Sequence, residues 1–155
     1  MLREGGPQDV RFLRDMLRHA YYWRSRSGEM PITRYVHGWG RMGDRSVIAI
    51  DDFHPVGAAW YRLYSADEPG FGFVDAETPE LTIGVVPARR GKGIGSELLD
   101  ALLDRARAEG FERISLSVEK TSPAVHLYES RGFKAVRENE DFVMAAELQG
   151  RVGTG

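Results

Sequence analysis

The sequence predicts a single α/β domain of the α+β type, built on a mostly antiparallel mixed sheet with one parallel strand pair. Three observations predict it. The chain has 155 residues, 42% of them apolar and 28% charged, with no internal repeat and no linker long enough to divide it. Helical periodicity dominates the first third, and alternating strand patterns dominate the middle and the end. One strand–helix–strand unit, 80–86 to 113–118, forces a crossover, and a crossover joins parallel neighbours.

Along the chain, Val10, Leu13, Leu17 and Tyr21 recur at helical spacing from Asp9, the expected N-cap, to about Arg24. A weaker helix is expected over Thr33 to Trp39. SVIAID (46–51) and VGAAWYRLY (56–64) read as strands joined by a turn over Asp52-Phe53-His54-Pro55. Residues 65–79 form an acidic loop punctuated by Gly and Pro, and ELTIGVV (80–86) is a strand stopped by Pro87. A glycine-rich turn follows. Ile94, Leu98, Leu99, Leu102, Leu103 and Ala106 then make a helical stripe that ends at Gly110. RISLSV (113–118) alternates as a strand, and Ser122-Pro123 opens a short helix that closes at Gly132. FKAVRE and FVMAAEL finish as a hairpin, and the polar tail 149–155 is expected to be flexible.

Composition excludes several classes. Formal net charge is −2, from 21 basic and 23 acidic side chains, which argues against a coat for nucleic acid or anionic membrane. The absence of cysteine removes disulfides, thiol nucleophiles and thiolate metal sites. His19, His37 and His54 have no ligand spacing, so no metal is expected. MLREGGPQDV has no apolar signal core and no stretch approaches a membrane span, so a cytoplasmic protein is expected. A homodimer stays open.

The turn ARRGKGIGSELLDALL (88–103) carries the chemistry. Between a strand and a helix, its glycines allow positive φ and close backbone approach, and the free N–H groups at the helix start favour an anion. Arg89, Arg90 and Lys92 add attraction, so the expected guest is a phosphate or pyrophosphate; a tight turn with a solvated basic rim is the plainer alternative. GxxxxGK[ST] is absent. A literal GxGxxG, GWGRMG (38–43), precedes a strand rather than a helix and reads as a loop.

In that context Arg90-Gly91-Lys92-Gly93-Ile94-Gly95 resembles the [QR]-x-x-G-x-[GA] signature of the GNAT superfamily of acetyl-CoA-dependent N-acetyltransferases. SPAVHLYESRGF (122–133) is similar to a second family segment, with Ser122 where the family often has Asn. The resemblance is good over 46–148 and covers the first third in outline. It implies one GNAT-like domain over 1–148, with a twisted sheet that splays between strands 80–86 and 113–118 and helices on both faces. It implies acetyl-CoA as co-substrate: Val85 and Val86 as main-chain partners of pantetheine, Arg90, Gly91, Lys92, Gly93, Ile94, Gly95 and Ser96 around the pyrophosphate, and Ser122 at the contact of the second segment.

The implied activity is direct acetyl transfer to a primary amine of a small molecule or peptide. A non-catalytic acyl-CoA-binding module, or a transferase of another short acyl group, stands as the alternative. Transfer requires an amine stripped of its proton and a proton for the leaving thiolate. Glu80 occupies a position where several family members keep their base; it could equally be a solvated strand-end carboxylate, with Asp75 or Glu77 serving instead. Tyr128 occupies the family's tyrosine position and suits the acid, packing being the plainer role. His126 reads as a surface residue. Tyr21, Tyr22, Trp23, Tyr35, Trp39, Trp60 and Tyr61 offer walls for an amine or simply core, and the carboxylates at 67, 68, 75, 77 and 80 could draw a cationic acceptor.

Overall fold

Residues 1–21 and 32–149 are described in a computed structural model of the protein. The expected end of the first helix near Arg24, with Tyr22 and Trp23, and the tail 150–155 lie outside them. Among the described residues the elements are β1 (Leu2–Glu4), α1 (Val10–Tyr21), β2 (Arg45–Asp51), β3 (His54–Arg62), β4 (Glu80–Val85), α2 (Ile94–Ala108), β5 (Arg113–Glu119), α3 (Ala124–Ser130), β6 (Lys134–Glu138) and β7 (Asp141–Glu147). The hydrogen-bonded strand order is β1-β2-β3-β4-β5-β7-β6, a mixed sheet whose parallel neighbours are β4 and β5, as the crossover requires. The chain divides into two compact units, Met1–Arg62 with Thr82–Leu102, and Leu63–Leu81 with Leu103–Gly155.

In the first unit, β2 and β3 form a hairpin closed by the pair Asp51–His54. The turn is therefore Asp52-Phe53 alone, shorter than expected, with φ 52° and 66°, and His54-Pro55 already belongs to β3. Proline has no N–H to give the ladder, and the register shifts between Ala49 and Ile50, opposite it. Two glycines show where the helices lie. A Cβ on Gly57 would meet Leu98 of α2 at 3.1 Å, while one on Gly84 would strike the backbone of Met16 in α1. Since the Gly57 position also touches the Val85 side chain, and neighbours on a strand face opposite ways, α1 and α2 cover opposite faces of β3 and β4. Leu13, Leu17 and Tyr21 of α1 and Leu98, Leu99 and Leu102 of α2 are buried as the periodicity predicts; Met16 joins them, whereas Val10 stays half-buried. Burying each leucine is worth about 2 kcal/mol.

Two starts differ from expectation. Asp9 does not cap α1; it ends a 3-10 turn, Pro7–Asp9, whose cap is Gly6. Its carboxylate accepts from the Gly6 N–H at 2.8 Å and from both Arg3 nitrogens at 2.8 and 2.7 Å. The expected helix 33–39 is a 3-10 turn over Ile32–Tyr35, and β1, pairing with β2 from Leu2–Ala49 to Glu4–Val47, was not expected at all.

In the second unit, β5 pairs antiparallel with β7 along its whole length, and β7 with the exposed edge strand β6. Leu103, Ala106, Ile114, Leu116, Phe133 and Met144 are buried there. The parallel ladder holds one register pair, Glu80 with Ser115. Segment 72–79 arches over this point with both feet on Ser115: its N–H donates to Pro79 O at 2.9 Å and its hydroxyl to Gly72 O at 2.8 Å. Gly72 lies so close to β5 that a Cβ would come within 2.6 Å of the Leu116 backbone.

Candidate active site

The glycine turn is built in three steps. Pro87 stops β4 and starts a 3-10 turn over Pro87–Arg89, secured by Arg89 N–H to Val86 O at 2.9 Å. Gly91 and Gly93 then take φ of 77° and 83°, the left-handed region that bulky residues avoid. The helix begins at Ile94, and its first upstream bond is Glu97 N–H to Gly93 O at 3.1 Å. Among the described residues, no acceptor lies on the amides of Gly91, Lys92, Gly93, Ile94, Gly95 or Ser96. A Cβ built on Gly91, Gly93 or Gly95 would find nothing within 4 Å. Open amides, open space and the positive end of a helix dipole coincide here, the arrangement that binds a phosphate.

The predicted cations are divided in their duties. Arg89 donates from Nε to Asp51 Oδ2 at 2.8 Å, Arg90 donates from Nε to Val85 O at 3.2 Å, and Lys92 is exposed. Val86 is engaged on both sides, its N–H on Val56 O at 2.8 Å and its carbonyl on Arg89 N–H. Val85 keeps partial exposure. Ser122, in the second unit, turns its hydroxyl inward to the chain, accepting from Ala124 N–H at 3.2 Å. The helix starts at Ala124 with Pro123 at its N-cap, so Ser122 stands one residue before the expected place and Pro123 precedes the helix rather than opening it.

Also in the second unit, Glu80 is 1% exposed, held at the parallel ladder opposite Ser115. It is not a solvated strand-end carboxylate. Tyr128 sits on α3 with its ring edge-on to Phe133, centroids 5.7 Å apart. The residue retains some surface overall, yet protein crowds its titrating end, and burial pushes the phenol up to about 12. It stays protonated at any physiological pH. His126 is exposed, 3.7 Å from Glu129.

The acidic loop is less open than its composition suggests. Asp67, Glu68 and Glu77 are exposed, but Asp75 takes Arg113 at 2.6 Å and the Glu77 N–H at 2.9 Å. Burial would raise the Asp75 carboxyl; hydrogen bonds from Thr78, the Glu77 amide and Arg113 outweigh it and hold the pKa low. Of the aromatics, Tyr21, Tyr35, Trp60 and Tyr61 are buried core. Trp39 lies under the guanidinium of Arg62, 5.3 Å from the ring centroid.

That guanidinium belongs to a cluster the sequence reading missed. Arg62 and Asp44 are fully buried partners, joined at 3.0 Å and 2.8 Å, and Arg62 also donates to Arg34 O and His37 O. The signal was available: an arginine inside the apolar strand VGAAWYRLY needs a buried anion. Among the described residues no group of three His, Cys, Asp or Glu gathers to hold a metal, and no helix is long and apolar enough to cross a membrane.

Comparison with known proteins bears on these sites. Residues 10–133 match the Acetyltransferase (GNAT) family. Mycothiol acetyltransferase of Corynebacterium aurimucosum is 34% identical over 98 residues, covering 63% of this chain and 29% of that protein. An L-methionine sulfoximine/L-methionine sulfone acetyltransferase of Pseudomonas aeruginosa is 36% identical over 75 residues, covering 48% and 42%. The chain thus spans less than half the length of these curated relatives. Among solved structures, the protein yncA of Salmonella typhimurium, determined with acetyl-CoA as its cofactor, superposes with a TM-score of 0.74 over 99% of this chain and 96% of its own, at 20% identity. Ribosomal-protein-alanine N-acetyltransferase of Brucella melitensis gives 0.72 over 96% and 99%, also at 20% identity. These likenesses carry the fold, and the family match covers most of the chain from α1 to the end of α3. The chain belongs to the GNAT acetyltransferase family.

Proposed function

We propose that the protein is an N-acetyltransferase that moves an acetyl group from acetyl-CoA to the primary amine of a small molecule or peptide, by direct transfer and in the cytoplasm. The carrying observation is the run of unaccepted amides from Gly91 to Ser96 beside the space that the glycines leave open. That space fits a pyrophosphate, because two negative phosphoryl groups need several donors and no Cβ in their path. Acetyl-CoA supplies an acetyl group activated as a thioester.

In this reading Arg90 to Ser96 hold the pyrophosphate, with Lys92 adding attraction, and Val85 offers main-chain groups to the pantetheine arm once the long Arg90 bond yields. Val86, bonded on both sides, contributes only through its position. Ser122 shapes the start of α3. Glu80 takes the proton from the acceptor's ammonium, whose pKa near 10 keeps it charged at neutral pH. The amine nitrogen then bonds to the thioester carbon, the C–S bond breaks, Tyr128 donates its phenolic proton to the departing sulfur, and the second proton that the nitrogen sheds on becoming an amide restores the phenol. The names of two relatives, mycothiol acetyltransferase and L-methionine sulfoximine/L-methionine sulfone acetyltransferase, favour a small-molecule acceptor in this reading.

Purified protein, acetyl-CoA and a panel of amines test this reading. Free thiol is expected to appear with at least one amine, and propionyl- or succinyl-CoA in competition reports donor preference. Binding of acetyl-CoA without thiol release from any amine would make the protein a binding module. Tyr128→Phe keeps the ring against Phe133 and removes one hydroxyl. Its kcat is expected to fall about 10²–10⁴-fold with acetyl-CoA binding retained. Since the phenol titrates at about 12, it imposes no alkaline fall in rate below about pH 11.

A further inference from the structure

The β2–β3 hairpin ends in a feature that folding does not explain. Phe53 is 95% exposed, and among the described residues its ring touches no other ring or charge. It also holds φ at 66°, in a two-residue turn where glycine or asparagine is favoured. A bulky side chain in that region is a true outlier, and such strain collects where ligands bind. Two contacts place this turn beside the phosphate cradle. Asp51, which closes the hairpin with His54, holds Arg89 at 2.8 Å, and Val56 of the same hairpin accepts from Val86 at 2.8 Å. Arg89 is two residues from Gly91, at roughly 3.8 Å per Cα step. Hairpin tip and cradle belong to one compact unit.

We propose that Phe53 is the stacking surface for the adenine ring of acetyl-CoA. The inference rests on the acetyl-CoA reading given above. A pyrophosphate on the Gly91–Ser96 amides leaves the nucleoside outside the fold, and an exposed phenyl ring one ion pair away is the surface that a purine needs. Aromatic stacking is indifferent to hydrogen-bond pattern, so one unpartnered ring suffices. The Asp51–Arg89 pair and the Val86–Val56 hydrogen bond tie the hairpin beside the turn.

Calorimetric titration of the wild type, Phe53→Asn and Phe53→Trp with CoA and with 4′-phosphopantetheine tests this. The second probe keeps the arm and a phosphate but has no purine. Phe53→Asn is expected to weaken CoA about five- to tenfold and leave 4′-phosphopantetheine unchanged, while Phe53→Trp binds CoA at least as well as the wild type. The ligand-free melting temperature of Phe53→Asn is expected to equal or exceed the wild type's, since asparagine accepts the left-handed turn. Equal CoA affinity in wild type and Phe53→Asn overturns the proposal. So does an equal loss for both probes, which would mean that the turn only shapes the cradle, or a lower ligand-free melting temperature, which would give the ring a folding role. A wild type that binds neither probe removes the acetyl-CoA reading itself, a result distinct from the others.

Discussion

GWGRMG at 38–43 and RGKGIG at 90–95 are both glycine-rich, both carry a cation, and both use positive φ, yet their amides end in opposite situations. In the first, the N–H groups of Gly40 and Arg41 each donate to Asp44 Oδ2 at 2.9 Å, and Arg62 neutralises that carboxylate from the other side. The loop has an anion, and the anion is its own. In the second, the amides from Gly91 to Ser96 meet no acceptor among the described residues. A glycine motif is therefore best read by asking where its N–H groups go: a satisfied set marks architecture, and an unsatisfied set facing open space marks a guest.

Four changes would break or sharpen this contrast. The largest effect is expected from Arg62→Leu, which strands the Asp44 charge inside the fold. Losing one partner of a buried pair costs about 3–5 kcal/mol, so the melting temperature should fall by about 6–20 °C, while any folded fraction still answers to CoA. Next is Gly93→Val. Its backbone strain costs about 1–3 kcal/mol, and the stabilisation by CoA, about 2.7 kcal/mol at a hundredfold excess over Kd, should vanish. An undiminished shift would place the phosphates elsewhere.

Gly95→Ala is the cleaner instrument. Gly95 has no positive φ and open space at its Cβ, so the free protein should melt at or slightly above the wild-type temperature while the CoA-induced shift shrinks. The smallest effect concerns Asp9, whose pKa is lowered chiefly by the Arg3 hydrogen bonds. A depressed carboxylate stabilises the fold above its unfolded pKa near 4 and stops doing so as pH falls through the folded value. Asp9→Asn should cost about 1 kcal/mol or less at pH 7 and flatten that acid dependence in urea melts.

What could be read in advance follows a physical division. The strand–turn–helix around Gly91 and Gly93 was legible because its signal is local: glycine spacing, a strand before and a helix after. The stripe of α2 and the glycine that follows α3 were legible for the same reason. β1 was not, because three residues with one half-buried leucine carry no period, and only pairing with β2 makes them a strand. Asp9 read as the cap of the first helix, and Asp75 as a stand-in base or a draw for a cationic acceptor, until Arg3 and Arg113 were placed beside them. Gly72 looked like loop punctuation; its need for glycine comes from Leu116, far along the chain. Residues whose role is fixed by a distant partner are silent in the sequence, apart from misfits such as Arg62 in an apolar strand.

The arch over Ser115 gives the molecule a replaceable part. Gly72 O and Pro79 O are both tied to one residue, which anchors the ends of the 73–78 segment separately from the grips of Arg113 on Asp75 and Arg137 on Phe73 O. Loop closure grows only slowly with length, about 0.6 kcal/mol per doubling, so longer or differently charged inserts between these feet should leave β4 and β5 in register. Directed evolution could treat 73–78 as a cassette, varying its length and charge on an unchanged foundation, with Gly72, Pro79 and Ser115 left out of every library.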